Sequence, residues 1–323
     1  MYFANSIDVS MRIEDIRKYS YELPLALFGK DVQEVVVEVI DPYRWRLLLY
    51  DTEGNLHSIT SGSFIKIYRP MSLYRVCSGD IVVSFTQDPL ENLMYLHRKD
   101  VFCMARVSNG FCSLHKRSDY SKYLSYVFGL SNTKPDVGLA QVPHMVYILS
   151  LGGSNVKVGI ANVMKNLNRI FEQIFVYATP VAFVEDVARA REIEKMLAGS
   201  KIRDRVRVSE RIEQIKNVNM YNLETHLTQF VLTFVRQIKP LLISRKIVNK
   251  DKPLPVIRFS DKYFENIAKT YIVHEETRLN SIEGYTEVIE YSLGGITISI
   301  NNRRFFIPYY FIRDKALNIE IVK

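Results

Sequence analysis

Residues 145–170 read MVYILSLGGSNVKVGIANVMKNLNRI. VYILSL and VKVGIA are apolar runs of strand length, and the intervening GGSN supplies a turn, so the stretch predicts a β-hairpin. Its glycines do not form a phosphate cradle. A Walker A loop needs G-x-x-x-x-G-K-[ST]; Gly153 and Gly159 stand too far apart, and Ile160-Ala161 occupies the place of Lys-Ser. The dinucleotide fingerprint G-x-G-x-x-G is not matched either.

Downstream, VMKNLNRIFEQIF (163–175) places Val163, Leu167, Ile170, Phe171 and Ile174 at helical spacing. FVYATPVAFV is strand-like and interrupted by Pro180, and VEDVARAREIEKMLA is built of strong helix formers. Upstream, residues 32–70 are β-rich with turns at Asp41-Pro42 and Glu53-Gly54-Asn55, which predicts a small antiparallel barrel or sandwich. The loop LSNTKPDVGLAQVPH marks a boundary ahead of the hairpin.

These signals predict a multi-domain α+β protein: a β-rich barrel or sandwich over 1–95, a basic Cys/His segment over 96–135, a central α/β unit over 144–209, a helical segment over 210–275, and C-terminal β-hairpins over 276–323. In the helical segment Pro240 must break or kink the helix. In the last, Gly294-Gly295 and Asn301-Asn302 are the turn signals.

The 323 residues carry 43 Lys and Arg against 35 Asp and Glu, a formal charge of +8, which suits an anionic partner such as DNA or RNA. With 47% hydrophobic residues the chain can bury a sizeable core, so disorder is not expected. No apolar h-region opens the chain and no uncharged apolar run approaches the ~20 residues of a membrane helix. Three cysteines do not make a disulfide framework, and a cytoplasmic location is expected.

Val146-Tyr147-Ile148 and Lys157-Val158-Gly159 resemble the two strand motifs of the GIY-YIG nuclease superfamily, the second in a K-[IV]-G variant. Arg169 resembles the Arg of its following helix. Glu194, within ARAREIEKML, is similar to the A-x-x-x-E-x-x-L helix. More narrowly, a basic Cys/His segment ahead of such a hairpin resembles an uncharacterised prokaryotic family with a GIY-YIG-like core. The resemblance implies a nuclease scaffold in which Tyr147 positions or deprotonates a water, Arg169 stabilises the phosphate and Glu194 holds Mg²⁺. Two features depart from it: the initial Gly is absent, and Lys157 replaces the second motif Tyr, which predicts nucleic-acid binding ahead of cleavage. A metal-dependent endonuclease and a protein-interaction adaptor are the alternatives.

Helical geometry treats Glu194 independently. It falls on the apolar face with Val187, Ala190 and Leu197, whereas Glu192 points away. A carboxylate there needs either a metal or a basic partner, Arg169 or another. For phosphate contact the candidates are Lys157, Gly159 and Lys165, with Lys201, Arg203, Arg205 and Arg207 alternating along KIRDRVRV; the alternative for that stripe is a solvated face or ion pairs with Asp204 and Glu210. Cys103, Cys112 and His115 form C-x₈-C-x₂-H, and Cys77 or His97 is available to complete a structural zinc site. The alternative is that Cys77 and Cys103 are small core residues.

Overall fold

A computed structural model of the chain describes residues 1–10, 16–21, 35–40, 44–87, 94–152, 156–162, 168–199, 202–218, 222–249 and 254–322. Strand pairing ignores chain order, and this determines the architecture. The N-terminal half supplies β1 (Tyr2–Ser10), β2 (Ile16–Tyr21), β3 (Val35–Ile40), β4 (Arg44–Asp51), β5 (Leu56–Ile59), β6 (Phe64–Arg75), β7 (Asp80–Gln87) and β8 (Met94–Val101), followed by helices α1 (Asp119–Val127) and α2 (Gly138–Gln141). Next come β9 (His144–Ser150), β10 (Val156–Asn162), α3 (Asn168–Phe171), β11 (Tyr177–Val184), α4 (Val187–Ala198), α5 (Val208–Asn217), α6 (Leu223–Thr233) and α7 (Lys239–Ser244). The chain closes with β12 (Leu254–Phe259), α8 (Asp261–Ala268), β13 (Tyr271–Ile272), α9 (Glu276–Leu279), β14 (Gly284–Ser292), β15 (Gly295–Ile300), β16 (Arg303–Pro308) and β17 (Lys315–Val322).

The larger sheet has the order β13-β16-β15-β14-β6-β17-β1-β4-β5, so the closing hairpins and the first strands share one ladder. The second sheet has the order β10-β9-β11-β12-β3-β2, and β7 pairs with β8 separately. The fold is therefore mixed α+β and strand-rich. Of the barrel or sandwich expected at the N-terminus, the barrel is corrected: among the described residues no sheet closes, and β1 and β6 pair with β17 and β14 instead. Leu47 and Ile67 of the larger sheet belong to the same apolar core as Ile148 and Leu149 of the smaller one. The segments drawn at 1–95, 144–209 and 276–323 thus meet in one core.

Every residue of β9 and β10 is buried. β10 ends its sheet, but its outer edge is covered: Val158 N–H donates to the Arg203 carbonyl at 2.9 Å, and Arg203 N–H to the Val156 carbonyl at 3.2 Å. In β11, Pro180 coincides with a register shift, as a residue with no N–H to donate requires. α4 begins where the Asp186 side chain accepts from Arg189 N–H at 2.9 Å, and it buries Val187, Ala190, Ile193, Glu194 and Leu197. Pro240 lies in the first turn of α7, where its missing N–H is tolerated, directly after a π-turn over Phe234–Ile238.

The helix expected over 163–175 is helical at Asn168–Phe171; residues 163–167 lie outside the described residues. It ends there because the Tyr291 hydroxyl donates to the Phe171 carbonyl and Val176 N–H turns to the Ser150 carbonyl at 2.8 Å. The β14–β15 turn seats the same segment. Gly294 has φ +77°, and a Cβ there would stand 2.3 Å from the Gln173 carbonyl carbon. Gly294→Ala should therefore cost at least about 2 kcal/mol, because rigid backbone is in the way. Chemical denaturation checks this, and an unchanged midpoint would contradict it.

Candidate functional site

Between the β9–β10 hairpin, α3, α4, the start of α5 and the Tyr309–Tyr310 turn lies a cavity of about 620 Å³. Tyr147 and Gly159 face each other across the hairpin ladder. Glycine is required at 159, since a Cβ would come 2.6 Å from the Tyr147 hydroxyl. Gln173 joins the two motif strands. Its Oε1 accepts from Lys157 Nζ at 2.9 Å, and its Nε2 donates to the Tyr147 hydroxyl at 2.7 Å and to the Arg169 carbonyl at 3.0 Å. As the phenol oxygen accepts from Gln173, its own proton remains for a guest in the cavity.

Burial pulls the Lys157 ammonium down to about 7, with Arg211 and Arg169 adding to the effect. Burial also raises the Tyr147 phenol, which is therefore a neutral donor rather than a phenolate at neutral pH. For Arg169 burial opposes the charge, but the Glu172 carboxylate, 2.8 Å away, outweighs it and the guanidinium stays cationic. Glu172 is itself buried and stands 4.0 Å from Arg313. Burial raises the Glu194 carboxyl.

Six Arg side chains and Lys157 line the cavity against the carboxylates of Glu172, Glu194 and Asp204. Arg211, in the first turn of α5, has a buried Nε with no hydrogen-bond partner, and burial lowers its pKa although Glu210 opposes the shift. Arg205 donates to the Phe128 carbonyl at 2.8 Å, and exposed Arg207 stands at the N-cap position of α5 without a side-chain capping bond.

Tyr147, Lys157, Gly159, Arg169, Glu194, Arg205 and Arg207, expected from the sequence at widely separated positions, all line this one cavity. Arg203 does not; it pairs with Glu210. Lys165 and Lys201 lie outside the described residues. The magnesium expectation at Glu194 finds no support, because its carboxylate is engaged by Arg191 one helical turn back. The alternative of a basic partner therefore holds, with Arg191 in place of Arg169. Sequence reasoning missed Gln173, Arg211 and Arg313. Gln173 does carry a signal, standing four residues after Arg169 beside an apolar run, where a buried amide needs partners.

A second cluster joins Cys77, Cys103, Cys112 and His115, whose ligand atoms all lie within 4.8 Å of one another. His115 Nδ1 is 3.5 Å from Cys77 Sγ and 3.4 Å from Cys112 Sγ, and the Cys103 and Cys112 sulfurs are 3.9 Å apart. Tetrahedral ligands at about 2.0–2.3 Å from an ion stand roughly 3.3–3.8 Å from each other, so the set can close on one metal such as zinc. Gly79 and Cys112 N–H groups donate to Cys77 Sγ at 3.4 and 3.3 Å, as expected around a thiolate ligand. All three cysteines are free thiols. Cys77 supplies the fourth position, whereas His97 is on β8 bonded to Thr86 Oγ1 at 2.6 Å. Among the described residues no other group of three or more His, Cys, Asp or Glu side chains is placed to hold a metal, and no helix is long and apolar enough to cross a membrane.

Residues 135–291 match a protein family described as Protein of unknown function (DUF2797). The matched stretch holds the hairpin, α3, α4 and α5 but not the Cys/His cluster. No curated protein and no solved structure matches the chain.

Between about 7 and 10.5 the unfolded chain keeps the Lys157 proton that the folded chain has released, so Lys157 makes stability rise with pH across that window. Unfolding midpoints of wild type and Lys157→Met should diverge in favour of wild type as pH rises through it. A constant difference would place Lys157 in water.

Proposed function

We propose that the cavity binds the phosphate backbone of DNA or RNA, on a GIY-YIG-like unit at 144–209 within a larger α+β protein. The carrying observation is the convergence of Tyr147, Lys157, Gly159 and Arg169 on one cation-rich cavity with Arg211, whose buried Nε has no hydrogen-bond partner. Buried cations facing a cavity in excess of carboxylates favour a polyanionic guest. A neutral Tyr147 has a proton to donate to a phosphate oxygen. Retention is favoured over cleavage for three reasons: Lys157 is committed to Gln173, Tyr147 is not a base, and Glu194 is paired.

The nuclease reading rests on Tyr147, Arg169 and Glu194 sharing the cavity, and requires a divalent cation to displace Arg191 from Glu194. One experiment covers both. Purified protein is incubated with single-stranded and duplex DNA and RNA, with Mg²⁺ and with chelator. Retention without products is expected, with affinity falling steeply as salt rises, and Arg207→Ala/Arg211→Ala should reduce that salt slope by about 1–2. Metal-dependent products lost in Glu194→Ala would establish the nuclease instead. No retention on any nucleic acid would leave a protein-interaction adaptor.

The Cys₃His cluster we assign to one structural zinc, since four protein ligands leave no open position. A reducing cytoplasm would keep its thiols available. Metal analysis should find about one zinc per chain, and chelation or Cys112→Ser should lower the melting temperature. Metal-free protein of unchanged stability would exclude it.

A further inference from the structure

An open cleft of about 1100 Å³ lies at the β13 end of the larger sheet. Lys269, Arg278, Arg303 and Arg304 line it, all exposed, and no carboxylate does. None of the four forms an ion pair among the described residues. The neighbouring Glu290, which feels the charge of Arg304, is held by Asn266 at 3.1 and 3.2 Å. Two rings stand among the cations: Tyr271, 42% exposed, meets Phe305 edge-on with centroids 5.7 Å apart, and Arg278 lies 5.6 Å from the Tyr271 centroid. A partly exposed ring beside guanidinium groups without ion pairs is the arrangement on which an unpaired base stacks while its phosphates meet charge.

The cleft is connected to the cavity. Arg207 and Arg211, at the start of α5, line the cavity, and Ile215 and Lys216, further along it, line a smaller recess. That recess shares Tyr271 and Arg278 with the cleft. The ten residues of α5 span about 15 Å, so one helix carries cations from one site towards the other.

We propose that the cleft holds a single-stranded segment of nucleic acid, with a base stacked on Tyr271 and phosphates on Arg278, Arg303, Arg304 and Lys269, and that α5 joins it to the cavity as one track. The cleft takes the same class of ligand as the cavity, so it extends the reading above while resting on different residues. Duplex DNA presents no free base face to Tyr271, so the cleft prefers single strands.

Fluorescence anisotropy with labelled oligothymidylate of about 20 nucleotides tests this on the full chain, with folding checked by circular dichroism. Tyr271→Ala should weaken binding roughly five- to a hundredfold while Tyr271→Phe stays near wild type, and Arg278→Glu/Arg304→Glu should weaken it at least about tenfold. Cleft variants with wild-type affinity, beside a weakened Arg207→Ala/Arg211→Ala, would overturn the cleft and leave the cavity standing. The reverse pattern would keep the cleft and remove the cavity. Weakening in the charge variant alone, with heparin competing as well as oligothymidylate, would make the cleft a surface for any polyanion and overturn the single-strand assignment. A wild-type chain that retains no oligonucleotide overturns both sites.

Discussion

A single buried amide holds the candidate site together. Gln173 accepts from Lys157 and donates to Tyr147 and to the Arg169 carbonyl, so the placement of these three residues depends on one side chain. An amide left unsatisfied at that depth costs about 1–3 kcal/mol, which makes this network all-or-none. Its placement is imposed from outside the hairpin. The Gly294 turn presses on the Gln173 backbone, and the Tyr291 hydroxyl fixes the Phe171 carbonyl beside it. The last strands of the chain thereby set the geometry of a site whose motifs are in the middle.

This dependence explains what could be read from the sequence. The β9–β10 hairpin, the α4 helix and the apolar seam carrying Glu194 are local, and their periodicities reveal them. The turn signals Gly294-Gly295 and Asn301-Asn302 are local too: Gly294, Asn301 and Asn302 have the positive φ that Gly and Asn tolerate, although the first turn falls at Leu293-Gly294, one residue early. The ladder between β6 and both β14 and β17 was not legible, since pairing between residues some 220–250 apart leaves no trace in spacing. Nor was the partner of Glu194. A basic residue was required, but helix geometry offered Arg191 three residues before it as readily as a distant Arg169, and proximity won.

The two sites outside the hairpin are tied to it by short elements. Directly after His115, Ser118 caps α1 through Ser121 N–H at 3.2 Å. α1 runs to Val127, and Phe128 offers its carbonyl to Arg205 at the cavity rim. A metal in the Cys₃His cluster would brace the start of that helix, and so the wall that carries Arg205. Tyr123 of the same helix bonds His144 at 2.9 Å. Because His144 Nδ1 faces the Val142 carbonyl at 2.7 Å, its other nitrogen accepts, and burial holds the ring neutral with its pKa down at about 4. α5 plays the corresponding part on the opposite side, leading from Arg211 towards Tyr271 and Arg278.

The central claim, that the cation-rich cavity is where nucleic acid lies, is tested most directly by photo-crosslinking. An oligonucleotide with a photoreactive base would be irradiated with the full chain and the modified peptides mapped. The account predicts adducts on Tyr310 and on residues 205–211, lost on competition with unlabelled oligonucleotide. Adducts confined to surfaces remote from the cavity, with these residues unmodified, would contradict it.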